Sequence, residues 1–197
     1  KKRGVPIYSD LEEFYKTQKA DLAVISSPIH FHCKQTKIAL ENGSNVLCEK
    51  PASATVQEVQ EMISTRDRTG LKVAIGFQWA YDPAYIELKE DVLKGMFGRP
   101  KRLKTLVLWP RNMAYYRRSS WAGRKKDEKG NWILDSVANN ATAHFLHNML
   151  HLLGKGIEKS TKPVEVTAEL YRANPIENFD TSGIRILTEN GAEILFY

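Results

Sequence analysis

A glutamate and a lysine stand side by side in Cys48-Glu49-Lys50-Pro51, directly after a short apolar run that is typical of a buried strand. Ligands of open α/β sheets bind beyond the carboxyl ends of the strands, so this pair is well placed to act on a bound molecule. A lysine that is partly withdrawn from water has a lowered pKa and can exchange protons near neutral pH. An exposed ion pair on a loop is the alternative interpretation.

The preceding predicted strand ends at Ser26-Ser-Pro28. The serine hydroxyls and the free N–H groups at the start of the next helix could hold ribose or phosphate oxygens. Capping of that helix by Ser27 and His30 is the alternative. His30, His32 and Cys33 hint at a metal site, but no second ligand cluster follows at a recognised spacing, so we predict no metal.

A helix predicted over residues 136–154 contains no charged residue. Its polar side chains Asn140, His144, His147 and His151 are separated by 4, 3 and 4 positions, which places them on one helical face. Such a stripe should face an enclosed polar space, such as a cleft between domains. A set of hydrogen-bonded core histidines is the alternative.

Residues 110–133 are predicted to form a long polar loop that mixes aromatic rings with cationic groups, including Arg111, Tyr115 and Trp121. That mixture can hold a sugar or a carboxylate, and it can also stack on single-stranded nucleic acid. The acidic neighbours Asp127 and Glu128 weaken the second interpretation. A solvated loop is the default for such a run of charge.

The elements that must position these residues alternate in the first part of the chain. We predict a helix near residues 10–15, a strand at 21–26 buried on both faces, a helix at 31–42, a strand at 45–48, a helix at about 55–69 and a strand at 72–77. Strands separated by helices of this length indicate βαβ units with a parallel sheet.

The pattern changes after Gln78. A helix is predicted from Pro83 to Lys94, a strand from Lys101 to Trp109, and, after the polar loop and the uncharged helix, strands at 163–172, 183–188 and 192–197. Strands that follow helices in this way indicate a separate α+β domain.

Composition excludes several classes of protein. Hydrophobic residues make up 42% and charged residues 26% of the 197 residues, which argues against a disordered or fibrous chain. Two cysteines are too few for a disulfide-stapled secreted scaffold. The net charge of +6 suits anionic ligands but does not by itself indicate nucleic acid. No apolar run is long enough for a membrane span, so we expect a soluble, cytoplasmic protein.

Five segments in this order resemble the Gfo/Idh/MocA family of NAD(P)-dependent oxidoreductases. They are the strand and turn at 23–32, the A-L-x-x-G…V-x-x-E-K-P motif at 39–51, the Gly76-Phe77 to Pro83 exit, the Gly98-Arg-Pro100 turn and the stretch 135–154, which resembles the helix with the family's D-x-x-x-H pair. The match runs from Val5 to about Gly154.

The resemblance implies a Rossmann domain at residues 1–78 and a domain at 79–197 with an open, mostly antiparallel sheet. It implies NAD or NADP as the cofactor, bound along Ser26, Ser27, Pro28, His32, Glu49 and Gln78. It further implies hydride transfer between a sugar or polyol and nicotinamide, with Lys50 and His144 in one pocket handling the proton. We expect the substrate to contact Arg111, Tyr115, Trp121 and His147.

Three features depart from the family pattern. Asn140 stands where the family usually has an aspartate; it can orient a hydroxyl but cannot take its proton. The exit motif reads Ala80-Tyr-Asp-Pro83 instead of Arg-Phe-x-Pro, and no G-x-G-x-x-G occurs. Because the chain begins at Lys1 without Met and stops within an apolar run, we expect it to be an internal portion that is inactive alone.

The first hypothesis is therefore an oxidoreductase acting on a small-molecule sugar, cyclitol or related polyol. A non-catalytic sugar- or nucleotide-binding relative of the same fold is the second, and Asn140 favours it modestly. A basic nucleic-acid-binding protein is the third, and we predict neither nucleic acid nor membrane as a partner. By analogy with the family, we expect a homo-oligomer, either a dimer or a tetramer.

Overall fold

A computed structural model describes residues 4–197. The chain divides into two compact units, the first ending at Gly76 and the second running over Phe77–Tyr197. The two units are described separately below.

The first unit contains three strands and three helices in strict alternation after an initial helix. They are α1 (Leu11–Thr17), β1 (Leu22–Ile25), α2 (Ile29–Glu41), β2 (Asn45–Cys48), α3 (Val56–Thr69) and β3 (Val73–Ile75). The strands form one parallel sheet in the order β1-β2-β3, in which Val46 lies opposite both Ala23 and Val73. This confirms the predicted βαβ units and the Rossmann-type parallel sheet.

Only one face of this sheet is buried, so the prediction of a strand buried on both faces is wrong for β1. Ile25, Val46 and Cys48 are at most 4% exposed, whereas Leu22 and Val24 on the opposite face are 54% and 64% exposed. Right-handed crossovers that advance in one direction place both connecting helices on the same face. An apolar run therefore identified the strand but not the number of faces covered.

Local signals set the ends of the helices in the first unit. Asp10 accepts a hydrogen bond from the Glu13 N–H at 2.7 Å and begins α1. Thr55 and Glu58 form a reciprocal capping box at the start of α3, and Gly70 ends that helix in the left-handed conformation.

The second unit contains the remaining elements. They are a 3-10 turn (Gln78–Tyr81), α4 (Pro83–Leu93), β4 (Arg102–Thr105), α5 (Met113–Arg117), a π-helical turn (Val137–Ala141), α6 (Ala143–Leu152), β5 (Pro163–Tyr171), β6 (Thr181–Thr188) and β7 (Glu193–Phe196). The sheet has the order β4-β7-β6-β5, and only the β4–β7 pairing is parallel. This confirms the predicted mostly antiparallel sheet of an α+β unit.

The core of the second unit lies between α6 and this sheet. Met149 and Leu153 from the helix pack against Ile184, Ile194 and Phe196 from the strands, all of them at most 9% exposed. The face of α6 that bears Met149 therefore packs against the sheet, and the side chains on the other face of the helix are available for other contacts.

Three predicted elements of this unit need correction. The single helix at 136–154 is a π-helical turn followed by α6, because the Thr142 N–H and hydroxyl both bond to the carbonyl of Val137. The predicted strand at 101–109 is shorter, with β4 at Arg102–Thr105 and one further hydrogen bond from the Val107 N–H to the carbonyl of Tyr197 at 2.8 Å. The predicted loop at 110–133 contains α5, which Asn112 caps by accepting from the Tyr115 N–H.

Candidate functional site

Backbone hydrogen bonds extend the parallel sheet past the last paired residues and place the glutamate and lysine at its carboxyl edge. The Glu49 N–H donates to the carbonyl of Ile25 at 2.8 Å, and the Gly76 N–H donates to the carbonyl of Cys48 at 2.7 Å. Glu49 is exposed, Lys50 is half-buried, and the Lys50 N–H donates to Oε2 of Glu49 at 3.2 Å. The pair therefore occupies the edge where ligands of such sheets bind.

His32 contacts the backbone that follows each of the strands β1 and β2. Its side chain is 1% exposed, with Nε2 at 2.8 Å from the carbonyl oxygen of Ser27 and Nδ1 at 2.8 Å from the carbonyl oxygen of Pro51. Both ring nitrogens are thus taken up by the backbone that follows β1 and β2. This geometry supports a positioning role for His32, and its contact with a nucleotide stays a prediction.

Glu58 anchors the segment that follows Pro51. Its Oε2 accepts from the Ser53 hydroxyl at 2.8 Å and from the N–H groups of Ala54 and Thr55 at 3.2 and 3.1 Å. Because α3 carries this carboxylate, the chain leaving Lys50 is held at both ends, by His32 on one side and by Glu58 on the other. Such restraint pre-organises the lysine for a ligand.

Gly76 makes room for the side chain of Glu49. A Cβ at this position would lie 3.2 Å from Cδ and Oε2 of Glu49 and 3.3 Å from its Cα. Any larger residue would therefore push the carboxylate or the strand end away. Gly76 was predicted only as part of the exit motif, and nothing in the sequence indicates its contact with Glu49.

The serines at the end of β1 differ in their surroundings. Ser26 is exposed, whereas the Ser27 hydroxyl donates to Oε1 of Gln35 at 2.6 Å. Helix α2 begins after Pro28 with no side-chain cap, which excludes the capping alternative for Ser27 and His30. Uncapped N–H groups at a helix start attract anionic oxygens, so Ser26, Pro28 and this turn fit the ribose and phosphate groups of a nucleotide.

In the second unit, α6 presents its histidines to aromatic rings. The His144 ring stacks on Trp79 with centroids 4.6 Å apart, and the His147 ring lies parallel to Phe77 at 4.0 Å. His151 continues the row 5.6 Å from His147. The predicted stripe is confirmed for the three histidines, and Gln78 is exposed on the turn that carries Phe77 and Trp79.

Burial and one lysine favour the uncharged forms of His147 and His151. Burial lowers the pKa of His147 and of His151, and the cation of Lys89 lowers both further. Lys89 itself is 0% exposed and donates to the carbonyl of His151 in the last turn of α6 and to that of Lys159 in the segment after the helix. Removal from water lowers the pKa of Lys89 to about 8.

Asn140 lies in the π-helical turn that precedes α6. Its Nδ2 donates to Oδ1 of Asp135 at 2.8 Å, and Oδ2 of the same carboxylate accepts from the Gly123 N–H at 2.7 Å. Asp135 is only 3% exposed. This buried carboxylate therefore orients the Asn140 amide, a role that the sequence analysis did not assign.

The predicted substrate-binding residues of the loop form a stack of cations on aromatic rings. The guanidinium groups of Arg111 and Arg118 lie 4.9 and 4.1 Å from the centre of the Tyr115 ring, and Arg118 also lies 5.5 Å from the centre of Trp121. Arg111 and Tyr115 line a cavity of about 130 Å³ with Asp135 and Asp180. Trp121 does not line it.

Residues 4–197 contain neither a cluster of metal ligands nor a membrane-spanning helix. No group of three or more His, Cys, Asp or Glu side chains there is arranged to hold a metal ion. Among the same residues, no helix has the length and apolar character that a bilayer crossing requires.

The amino-acid sequence of the chain is similar to that of known oxidoreductases. The family model described as an oxidoreductase family with an NAD-binding Rossmann fold matches residues 1–77. An inositol 2-dehydrogenase from Mycolicibacterium smegmatis is 34% identical over 101 residues, which are 49% of this chain and 29% of that protein. A 1-carboxy-3-chloro-3,4-dihydroxycyclohexa-1,5-diene dehydrogenase from Comamonas testosteroni is 25% identical over 166 residues, 84% of this chain and 38% of that protein.

Solved structures share the fold. The WlbA dehydrogenase from Bordetella pertussis, crystallised in complex with NADH and UDP-GlcNAcA, has a TM-score of 0.81 at 24% identity over 95% of this chain and 55% of its own. The myo-inositol 2-dehydrogenase from Lactobacillus plantarum has a TM-score of 0.76 at 20% identity over 96% of this chain and 53% of its own. This chain thus spans about half the length of these structures and less than half that of the curated relatives. Residues 1–77, which contain the strand-end Glu49-Lys50-Pro51 motif, thus match the Gfo/Idh/MocA family of oxidoreductases, and the relatives to which the chain is similar are named dehydrogenases.

Proposed function

We propose that the protein containing this chain is an NAD(P)-dependent oxidoreductase that interconverts a carbinol and a carbonyl group of a sugar, cyclitol or related polyol. The arrangement at the carboxyl edge of the parallel sheet carries the proposal: an exposed Ser26 and an uncapped α2 beside a restrained Glu49-Lys50 pair. The match of residues 1–77 to a family described as NAD-binding supports it.

The nucleotide would lie along the strand ends of the first unit. Ser26 and the first turn of α2 would bind its ribose and phosphate oxygens, and Glu49 would accept from a ribose hydroxyl. When bound, nicotinamide supplies the site that accepts or gives the hydride. Gln78 completes the proposed set of nucleotide contacts.

Lys50 and His144 are proposed to move the proton that accompanies the hydride. Loss of a hydride from a carbinol carbon requires that its hydroxyl proton leave, and an amine or a neutral imidazole can take it. Asn140, held by Asp135, would orient the hydroxyl without taking its proton. That Lys50 and His144 serve one substrate stays a prediction, as do the substrate contacts of Arg111, Tyr115, Trp121 and His147.

The relatives favour ring polyols as substrates. Two similar proteins are inositol 2-dehydrogenases, and another, from Escherichia coli, is a D-glucoside 3-dehydrogenase that is 32% identical over 92 residues. Each name describes oxidation on a hydroxylated ring. We extend that class, but no single member of it, to this protein.

Two measurements test the proposal on the full-length protein. Titration with NADH and NADPH, followed by quenching of nicotinamide or protein fluorescence, should saturate with at least one of them. Lys50→Ala should abolish turnover of inositols or glucosides with NAD or NADP, whereas Lys72→Ala, which alters an exposed lysine of the same unit, should not. Failure to bind either nucleotide would refute the proposal.

A non-catalytic sugar-binding relative is the second candidate, because Asn140 cannot take a proton. For such a protein, Lys50→Ala would leave the measured function largely intact, and no turnover would appear with any polyol. We also propose a homo-oligomer, which light scattering of the full-length protein would test.

A further inference from the structure

A groove in the second unit is lined by three arginines that the proposed reaction does not use. It has a volume of about 380 Å³ and lies between α5, the turn at 122–124 and the segment at 172–177. Arg117, Arg124 and Arg172 contribute its cationic groups, and all three side chains belong to exposed residues. This groove differs from the smaller cavity at Arg111, although Tyr116 lines both.

The three arginines give the groove a net positive charge. Within residues 4–197, no carboxylate lies within ion-pair distance of any of the three guanidinium groups. Glu177 is the acidic residue of the lining, and its Oε2 accepts from the Lys125 N–H at 3.0 Å. Three cations against one carboxylate leave a net positive groove, which attracts an anion of more than one charge.

The turn that carries Arg124 is held in place. The Gly123 N–H donates to Oδ2 of Asp135 at 2.7 Å, and its carbonyl accepts from the Asn178 N–H at 3.0 Å. Gly123 has φ +71°, and a Cβ there would lie 3.0 Å from Cδ1 of Tyr116 and 3.2 Å from Ile176. The backbone of the groove is therefore pre-organised, so little ordering cost opposes binding.

We propose that this groove binds a diphosphate-type oxyanion carried by the substrate. Guanidinium groups donate paired N–H groups that match the oxygens of a phosphoryl group, and three of them lining one groove suit two linked phosphates better than one carboxylate. The proposal rests on the proposed function in one respect only, namely that the diphosphate belongs to the substrate of the oxidoreductase. The natural substrate would then be a phosphorylated sugar instead of a free polyol.

Binding is tested with inorganic pyrophosphate by isothermal titration calorimetry at low salt. The triple variant Arg117→Gln, Arg124→Gln, Arg172→Gln should bind at least about tenfold more weakly than the wild type, since it loses charge-assisted hydrogen bonds. The control variant Lys94→Gln, Arg99→Gln, Lys101→Gln removes three exposed cations of the same unit outside the groove and should change affinity less than about twofold. Equal weakening of both variants would show diffuse charge attraction and overturn the proposal.

Assignment of the anion to the substrate needs a second arm. With saturating nicotinamide nucleotide, the groove variant should raise KM for a nucleoside-diphosphate sugar at least about tenfold and leave KM for the unphosphorylated sugar unchanged. If pyrophosphate binds in the groove but the two KM values are unaffected, the anion is a free phosphate and the assignment is overturned. Calorimetry needs no turnover, so failure of the oxidoreductase proposal would not alter the first result.

Discussion

Replacement of Lys89 by methionine tests how α4 holds the end of the histidine-bearing helix. Lys89 is 0% exposed, and its ammonium group donates to the carbonyl of Lys159 at 2.7 Å as well as to that of His151. Methionine keeps the aliphatic stem and removes both donors. The carbonyls of His151 and Lys159 then lose their hydrogen-bond donor, at a cost of about 1–3 kcal/mol each. The removal of a buried charge offsets part of that loss.

The pH dependence of this substitution can be worked out from the pKa. Burial lowers the pKa of Lys89 from 10.5 to about 8 in the folded protein, so folding favours the neutral amine. The unfolded chain then binds more protons between these two values, and the wild type gains stability as pH rises through this window. At about 1.4 kcal/mol per pH unit, the gain between about pH 7 and pH 9.5 is roughly 2 kcal/mol.

We therefore expect Lys89→Met to lower the free energy of unfolding by about 2 kcal/mol near pH 7 and by about 4 kcal/mol near pH 9.5. Urea denaturation at both pH values measures it, and the comparison with the wild type cancels the titration of every group whose pKa does not depend on Lys89. Lys155→Met, which alters an exposed lysine after α6, is the matched control and should change little. If the difference in unfolding free energy between the wild type and Lys89→Met shrinks as pH rises, the reasoning is refuted. The folded protein would then stabilise the charged form of Lys89.

Three further predictions concern residues that hold the site. Asp135→Ala should cost about 2–4 kcal/mol of unfolding free energy, since the N–H of Gly123 and the amide of Asn140 both lose their acceptor, and Asp135→Asn about half as much; equal losses would contradict this. Glu58→Ala should cost about 1–2 kcal/mol by thermal or chemical denaturation, against less than about 0.5 kcal/mol for the exposed Glu61→Ala; a reversed order would exclude the anchoring role. The pKa of His151, measured by NMR titration, should lie below 6.5 and rise in Lys89→Met, because that cation lowers it; an unchanged midpoint would contradict the coupling.

Signals within a few residues of one another made the elements predictable. Asp10 and Thr55 begin helices through bonds that span three positions, and Gly70 ends α3 through a bond that spans four. Pro83 begins α4 because its fixed φ suits the first helical position. The parallel pairing of β1, β2 and β3 was predictable because a helix separates each strand from the next. The same reasoning located the Glu49-Lys50 pair at the carboxyl edge of the sheet.

Features that depend on distant partners could not be read from the sequence. The sequence predicts a solvated lysine at position 89 of α4, whereas in the structure Lys89 is buried and bonds to the carbonyls of His151 and Lys159. The carboxylate of Asp135 accepts hydrogen bonds from Asn140 and Gly123, which lie 5 and 12 positions away. The π-helical turn that contains Asn140 arises because Thr142 bonds to Val137. Periodicity assumes a regular helix and cannot register that competition.

Isotope tracing tests the central claim most directly. A ring polyol or sugar deuterated at the reacting carbon is incubated with the full-length protein and NAD or NADP, and the recovered nucleotide is analysed by mass spectrometry. The account predicts that deuterium appears on the nicotinamide ring with the wild type and is lost with Lys50→Ala and with His144→Ala. Absence of transfer with the wild type, or undiminished transfer in both variants, would contradict it.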